Sequence, residues 1–404
     1  MYSYKDLTTR YEEIKERLKL RGIDERELEL ARNACEELHR IENQIIDLNT
    51  KRNSLVKENS PENRELIKNL KAEISELTEK KQILKEKSDL LLFKLPNLPD
   101  ASLKEHEEEV FSWGTKKEYS FTPLSHSELA KRNRFFDLVS GADISGSGYV
   151  VYTGEGARIF RALIRLTLDE NASKGYSERY LPVLVNSDCL LGTAQLPKFE
   201  EDLFKVSDDK YLSPTSETQL VNLYRNRIVE ASELPIRLTA NTNCFRREAG
   251  SAGVDTAGVI RLHQFNKTEI VVFCKPEESY KWLQVMVKDA CSILEKLNLP
   301  YRVLQLAQND ISFASAKTYD IEVWLPSESR YREISSVSNT LDFQAKRAKI
   351  RYKNKVLDKD EKSKFPHILN GSSLAIDRLF AALIENYQKE DGTVEIPDIL
   401  RSYI

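Results

Sequence analysis

The sequence predicts an α+β chain: an antiparallel sheet flanked by helices, preceded by an antiparallel coiled-coil arm. Three observations lead there. Residues 25–92 contain no glycine and place leucine and isoleucine at three- and four-residue intervals, which is heptad spacing. From about Ser127 onward, strand-like and helix-like segments are interspersed without a regular βαβ repeat, which favours an antiparallel sheet over a doubly wound parallel one. Residues 245–269 read as strand, glycine-containing loop and strand, with charged side chains gathered on one strand face.

Composition sets the bounds. A chain of 404 residues can hold two or three domains, and the boundary is expected at about residue 100: an arm domain over 1–100 and a larger domain over 101–404. A net charge of −3 gives no global basic character, so a nucleic-acid partner would have to meet a local basic patch. The five cysteines are widely spaced and form no CxxC pair, which suggests neither a disulfide framework nor a thiolate zinc site. The polar N-terminus lacks the apolar core of a signal peptide, and no apolar run reaches the ~20 residues of a membrane span. A cytoplasmic protein without a membrane partner is expected.

The elements follow in order. Residues 1–25 suggest a short amphipathic helix through Tyr11, Ile14 and Leu18, ending near Gly22. The heptad positions are Leu38, Ile41, Ile45, Leu48 and Leu55, then Ile67, Leu70, Ile74, Leu77, Leu84 and Leu91. Between them Asn59-Ser60-Pro61-Glu62 is a helix stop and restart, with Ser60 as N-cap and Pro61 at the first helical position. The many Lys and Arg on these helices fit either a solvated coiled-coil surface or an arm that touches phosphates. Leu95-Pro96-Asn97-Leu98-Pro99-Asp100 is a stiff closing linker. Gly141 to Gly148 reads as a glycine- and serine-rich turn, without the context of a phosphate-binding loop. Helices are expected over 156–171, 218–230, 276–297 and 374–388, and strands over 149–152, 180–185, 301–306, 320–325 and 332–339.

The 245–269 stretch is the candidate site. Val259, Arg261, His263, Phe265, Lys267 and Glu269 alternate onto one face, with Ile260, Leu262 and Ile270 on the other. Such a face suits the floor of a polar pocket, and an ordinary solvent-facing hairpin fits the spacing equally well. In residues 332–339, alternation puts Glu333, Ser335 and Val337 opposite Ile334, Ser336 and Ser338. His263 reads as scaffold, and His126 and His367 as ordinary loop histidines.

With these segments laid out, the chain resembles the bacterial-type seryl-tRNA synthetases, a family of class II aminoacyl-tRNA synthetases. The likeness runs nearly end to end: the paired-helix arm, LPNLPD, GTAQLPKFEEDLF, PTSE, CFRREAGSAG with IRLHQF, EISSVSN with DFQAKR, and NGSSLAIDR with ALIENYQ occur in the family's order. The resemblance implies a class II catalytic domain, a homodimer, and two steps. ATP and L-serine give seryl-adenylate and pyrophosphate, and serine then passes to the 3′ end of tRNA(Ser), and of tRNA(Sec) where one exists. It also implies magnesium accompanying ATP, and no zinc.

Residue roles carry over by motif. Arg246 and Arg378 are the implied catalytic residues, Arg246 bridging the serine carboxylate and the α-phosphate, and Arg378 meeting the γ-phosphate. Thr215, Ser216, Glu217, Glu269 and Ser372 are implied to bind serine, with Thr215 and Glu217 on the ammonium and Glu269 on the hydroxyl. Arg247, Glu248, Glu333, Ile334, Ser335 and Ser336 join the two arginines on ATP, with Glu333 and Ser336 facing its magnesium ion. Adenylation by an already ionised carboxylate needs no general base, so positioning and charge carry the chemistry. Ser373 and Asp377 stand where the family often has glycine, Val337 for a frequent cysteine and Ser216 for a frequent alanine. Two rival readings are a paralogue that delivers activated serine to an acceptor other than tRNA, and a non-catalytic coiled-coil interaction protein.

Overall fold

A computed structural model describes residues 2–58, 60–249, 258–354 and 362–404. The Gly250, Ser251, Ala252 and Gly253 part of the predicted loop, and Asn59 of the helix restart, lie outside the described residues. The chain forms two compact units, 1–98 and 99–404.

In the first unit, α1 (Tyr4–Thr9) and α2 (Tyr11–Lys19) stand where one short helix was expected, and α3 (Glu25–Glu58) and α4 (Asn63–Phe93) form the arm. At about 1.5 Å per residue the 34 residues of α3 span roughly 50 Å. The predicted seam is the buried seam: Ile41, Leu70 and Leu84 are buried, and Leu38, Ile45, Leu48, Leu55, Ile67, Ile74, Leu77 and Leu91 are half-buried. Cys35 meets Ser88 (Sγ to Oγ 3.1 Å), and Glu42, further along, pairs with Lys81, further back, at 3.0 Å, so the helices run antiparallel. Leu7, Ile14, Leu18, Leu28, Leu92 and Leu95 pack into one apolar cluster at the foot of the arm. The restart differs from expectation. Ser60 Oγ accepts from Glu62 N at 3.3 Å, but Pro61 and Glu62 form a turn and α4 begins at Asn63, two residues beyond the predicted first helical position, Pro61.

The second unit is built on an eight-stranded sheet. We number its strands β1 (Glu108–Trp113), β2 (Ser177–Glu178), β3 (Ile236–Phe245), β4 (Gln264–Cys274), β5 (Tyr301–Gln305), β6 (Lys317–Leu325), β7 (Arg330–Asn339) and β8 (His367–Ala375). The spatial order is β1-β5-β6-β7-β8-β4-β3-β2, and every pairing is antiparallel except the short β2–β3 edge. The helices of this unit are α5 (His126–Asn133), α6 (Leu138–Ser145), α7 (Gly154–Ser173), α8 (Ser187–Thr193), α9 (Glu217–Asn222), α10 (Ser279–Lys296), α11 (Phe343–Arg347), α12 (Ile376–Asn386) and α13 (Asp398–Arg401).

The sheet's two faces differ. Ile270 and Val272 of β4 join Ile321, Val337 and Leu369 beneath α7, α10 and α12, whose apolar stripes (Ile159, Leu163 and Leu166 on α7) complete the main core. Val271 and Phe273, on the opposite face, pack on Leu220 and Val221 of α9 and on Ala345 of α11. Further along that same face the residues are Lys267 and Glu269. One face of one strand therefore changes from apolar core at Val271 and Phe273 to polar cavity lining at Lys267 and Glu269.

Two further expectations are corrected. The predicted helix from Thr218 to Glu230 stops at Asn222: Asn226 takes a left-handed φ of 58°, and the β-branched Ile228-Val229 continues as a strand parallel to residues 351–353. The predicted turn over 141–148 is mostly helix, because Asp137 caps α6 by accepting from Val139 N (2.8 Å) and Ser140 N (3.1 Å). Among the described residues no helix is long and apolar enough to cross a membrane.

Candidate active site

The open half of the sheet face holds a cavity of about 820 Å³, a size suited to a small-molecule substrate. Its floor is a register pair: Glu269 of β4 stands opposite Ser372 of β8. Side chains paired in this way lie about 5 Å apart at Cβ, close enough to share one small ligand. Glu269 is buried, pairs with Lys267 Nζ at 2.5 Å and accepts from Thr215 Oγ1 at 3.5 Å. Beside it, Glu217 accepts from Gln344 Nε2 at 2.6 Å and Asn370 Nδ2 at 3.0 Å. Burial, with the negative charge of Glu269 next, pushes the Glu217 carboxyl up to about 7. A carboxylate held this way gains most from a ligand that brings a positive charge.

The cavity wall also carries arginines. Arg246 follows β3, lies over the Phe265 ring at 5.1 Å, and has its backbone fixed by His263: Arg246 N donates to His263 O at 2.9 Å, and His263 Nδ1 lies 3.0 Å from Arg246 O. His263 is thus scaffold, as predicted. Glu248 takes a left-handed φ of 52° and receives Arg261 Nε at 2.8 Å. Arg378, in the first turn of α12, donates to Glu333 O at 2.7 Å, to Glu333 Oε2 at 3.3 Å and to Ile260 O at 3.1 Å.

Glu333 and Ser336 share a wall of the cavity, contrary to the strict alternation expected of this strand. The reason is a β-bulge: Glu322 pairs with Glu333 and Ile321 with Ser335, so Ile334 is an extra residue that resets the faces. Ser335 Oγ donates to Ser372 O at 2.5 Å and ties this wall to the floor. A carboxylate and a hydroxyl at that wall are hard oxygen donors, the set that suits magnesium arriving with a nucleotide's phosphates. Among the described residues no group of three or more His, Cys, Asp and Glu side chains is placed to hold a metal ion alone.

Of the residues singled out in the sequence, Thr215, Glu217, Arg246, Glu248, Glu269, Glu333, Ile334, Ser335, Ser336, Ser372 and Arg378 line this one cavity. Ser216 and Arg247 are not in its wall. Ser216 is fully buried at the start of α9, and Arg247 is exposed, because alternation beyond Arg246 turns its side chain away while its N–H bonds Asp202 O at 2.9 Å. Sequence reasoning gave no role to Gln344 and Asn370, which hold Glu217, or to the Glu269 partner Lys267. Lys267 had a usable signal, since alternation puts it on the Glu269 face. Asp377 was noted only as a departure. It is buried, accepts from Tyr152 OH at 2.8 Å and Asn266 N at 2.7 Å, and its carboxyl is pushed up to about 6 by burial.

The antiparallel sheet, with a cavity on its open face lined by arginines and carboxylates, has the architecture of a class II aminoacyl-tRNA synthetase core. Residues 198–387 match the family model for the tRNA synthetase class II core domain (G, H, P, S and T). The chain is 47% identical over 374 residues to the serine–tRNA ligase of Ureaplasma parvum serovar 3, covering 89% of each, and equally to that of Ureaplasma urealyticum serovar 10. It belongs to the serine–tRNA ligase family. Among solved structures it is similar to seryl-tRNA synthetase from Pyrococcus horikoshii complexed with ATP, at 31% identity and a TM-score of 0.92 over 100% of this chain and 98% of that one. It is also similar to the cytoplasmic serine–tRNA ligase from Naegleria fowleri in complex with AMP, at 26% identity and a TM-score of 0.86 over 97% and 93%.

Proposed function

We propose that the chain is a serine–tRNA ligase that forms seryl-adenylate from L-serine and ATP and transfers serine to the 3′ end of tRNA(Ser). One observation carries the reading: the Glu269–Ser372 pair and Glu217 form a small polar recess beside a cavity wall bearing Arg246 and Arg378. Serine enters with its ammonium toward Thr215 and Glu217 and its hydroxyl toward Glu269 and Ser372. Its carboxylate points at Arg246, which also receives the α-phosphate, as a planar two-pronged donor suits. A carboxylate oxygen attacks the α-phosphorus, the bond to the β-phosphate oxygen breaks, and pyrophosphate leaves. Arg378 holds the γ-phosphate end and Glu248 the adenine side. Glu333 and Ser336 would hold magnesium, which neutralises phosphate charge when bound. A tRNA ribose hydroxyl then attacks the seryl carbonyl and AMP leaves.

Specificity follows from desolvation. Alanine would leave the buried Glu269 without the hydroxyl that replaces its lost water, so it is rejected strongly, and threonine is refused by size. The arm over residues 1–100 is proposed to grip the tRNA through its basic side chains, with 101–404 as the catalytic domain, and the working form to be a cytoplasmic homodimer. The test is pyrophosphate exchange into ATP across a panel of amino acids. Serine alone supports rapid exchange, and Arg246→Ala lowers it by at least about a hundredfold, as loss of a charge-stabilising donor does. Exchange that is indifferent to serine, or robust in that variant, contradicts the reading.

A further inference from the structure

His126 was read from sequence as an ordinary loop histidine, and its surroundings correct this. It is buried at the start of α5 and faces the equally buried Glu385, near the end of α12. One Glu385 oxygen accepts both His126 Nδ1–H (2.8 Å) and His126 N–H (2.9 Å), while the other accepts Ser327 N–H at 3.1 Å. That leaves His126 Nε2 as an acceptor, and Val259 N–H donates to it at 3.3 Å. The network therefore gives the ring a donor at Nδ1 and an acceptor at Nε2. Glycine is required alongside: Gly258 has φ +68°, and a Cβ there would fall 1.9 Å from His126 Nε2.

Val259 and Ile260 both line the cavity, and Ile260 O receives Arg378 Nε at 3.1 Å. Arg378 and Glu385 are seven residues apart on α12, hence on the same helix face. The segment 258–260 is thus strapped to one helix at two points. Ile260 O is held by Arg378 directly, and Val259 N is held by Glu385 through His126. Losing the second strap frees the first to shift, and with it the guanidinium assigned to the γ-phosphate.

We infer that His126 and Glu385 are positioning residues for the ATP half of the site, acting through Val259 and Ile260 on Arg378. The inference rests on the adenylation reading above. Two replacements separate the bonds of the ring. His126→Asn keeps a donor at the Nδ1 position and loses the acceptor for Val259. His126→Gln keeps an acceptor at the Nε2 position. In serine-dependent exchange by the full-length protein, His126→Asn is expected to raise KM for ATP about fivefold to tenfold, the scale of one lost hydrogen bond, and to leave KM for serine within about twofold. His126→Gln recovers most of the ATP term. Unchanged KM for ATP in His126→Asn overturns the inference, and so does an equal rise for both substrates in both variants. If His126→Asn does not fold, Glu385→Gln, which keeps an acceptor but not its charge, must show the same ATP-selective rise in smaller measure. The wild-type protein is the control: absent exchange there strikes the adenylation reading, whereas normal exchange with an insensitive His126→Asn strikes the strap alone.

Discussion

Glu217 shows how one residue's surroundings set a measurable property. Its carboxyl is raised from the ordinary 4.5 to about 7 by burial first and by Glu269 second, against the Gln344 hydrogen bond and the positive charges of Lys267 and Arg246. Because the folded state binds this proton more tightly than the unfolded one, the residue's contribution to stability is complete below the ordinary value. It is lost as pH rises through about 7. With Glu217 as the proposed ammonium partner, serine binding has the opposite dependence, since the ammonium needs the ionised form and must displace the proton. KM for serine is therefore expected to rise about tenfold as pH falls from 8 to 6, and Glu217→Gln, with no proton to lose, to raise KM throughout and flatten the profile. A pH-independent KM in the wild-type protein would remove Glu217 from ammonium binding. Glu217 itself was legible through the PTSE segment. Gln344 and Asn370, more than a hundred residues away in sequence, were not, because only the folded sheet and α11 bring their amides to it.

At the scale of elements, periodic segments were read well and interruptions poorly. The arm's seam was legible position by position, because burial along two antiparallel helices repeats with the heptad. The bulge at Ile334 was not, because one extra residue flips every face that alternation assigns after it. The helix expected to run to Glu230 failed for a related reason: its ending depends on Asn226 and on a strand partner at 351–353, which local spacing does not contain. The arm carries its own prediction. Residues 1–98 form a separate compact unit, and every cavity-lining residue lies in the other. Removing residues 30–90 is expected to leave serine-dependent exchange within about threefold of the intact protein and to lower transfer to tRNA by at least about a hundredfold, since the phosphate contacts proposed for the arm, the kind that supplies most nucleic-acid affinity, would go with it. Unimpaired charging by the shortened protein would refute the arm's proposed role.

For the whole molecule, the fold and the family were legible for different reasons. The α+β character followed from the order of periodic segments. The substrate did not follow from charge or alternation, and entered through motifs whose side chains the sheet then gathers around a single cavity. Arg246, Glu269, Glu333, Ser372 and Arg378 come from segments spread over more than a hundred residues, and meet because β3, β4, β7, β8 and α12 are neighbours in the sheet and its cover. The same assembly gives the histidines different work, as scaffold for Arg246 and as a strap behind Arg378. The central claim is that this site activates serine for tRNA. The direct measurement is charging of serine tRNA by the full-length protein with ATP, magnesium and radiolabelled serine, against threonine and alanine as competitors. The account predicts acid-precipitable seryl-tRNA formed to near the acceptor capacity of the tRNA, with neither competitor incorporated. Serine-dependent exchange without any seryl-tRNA would contradict it and point to a different acceptor.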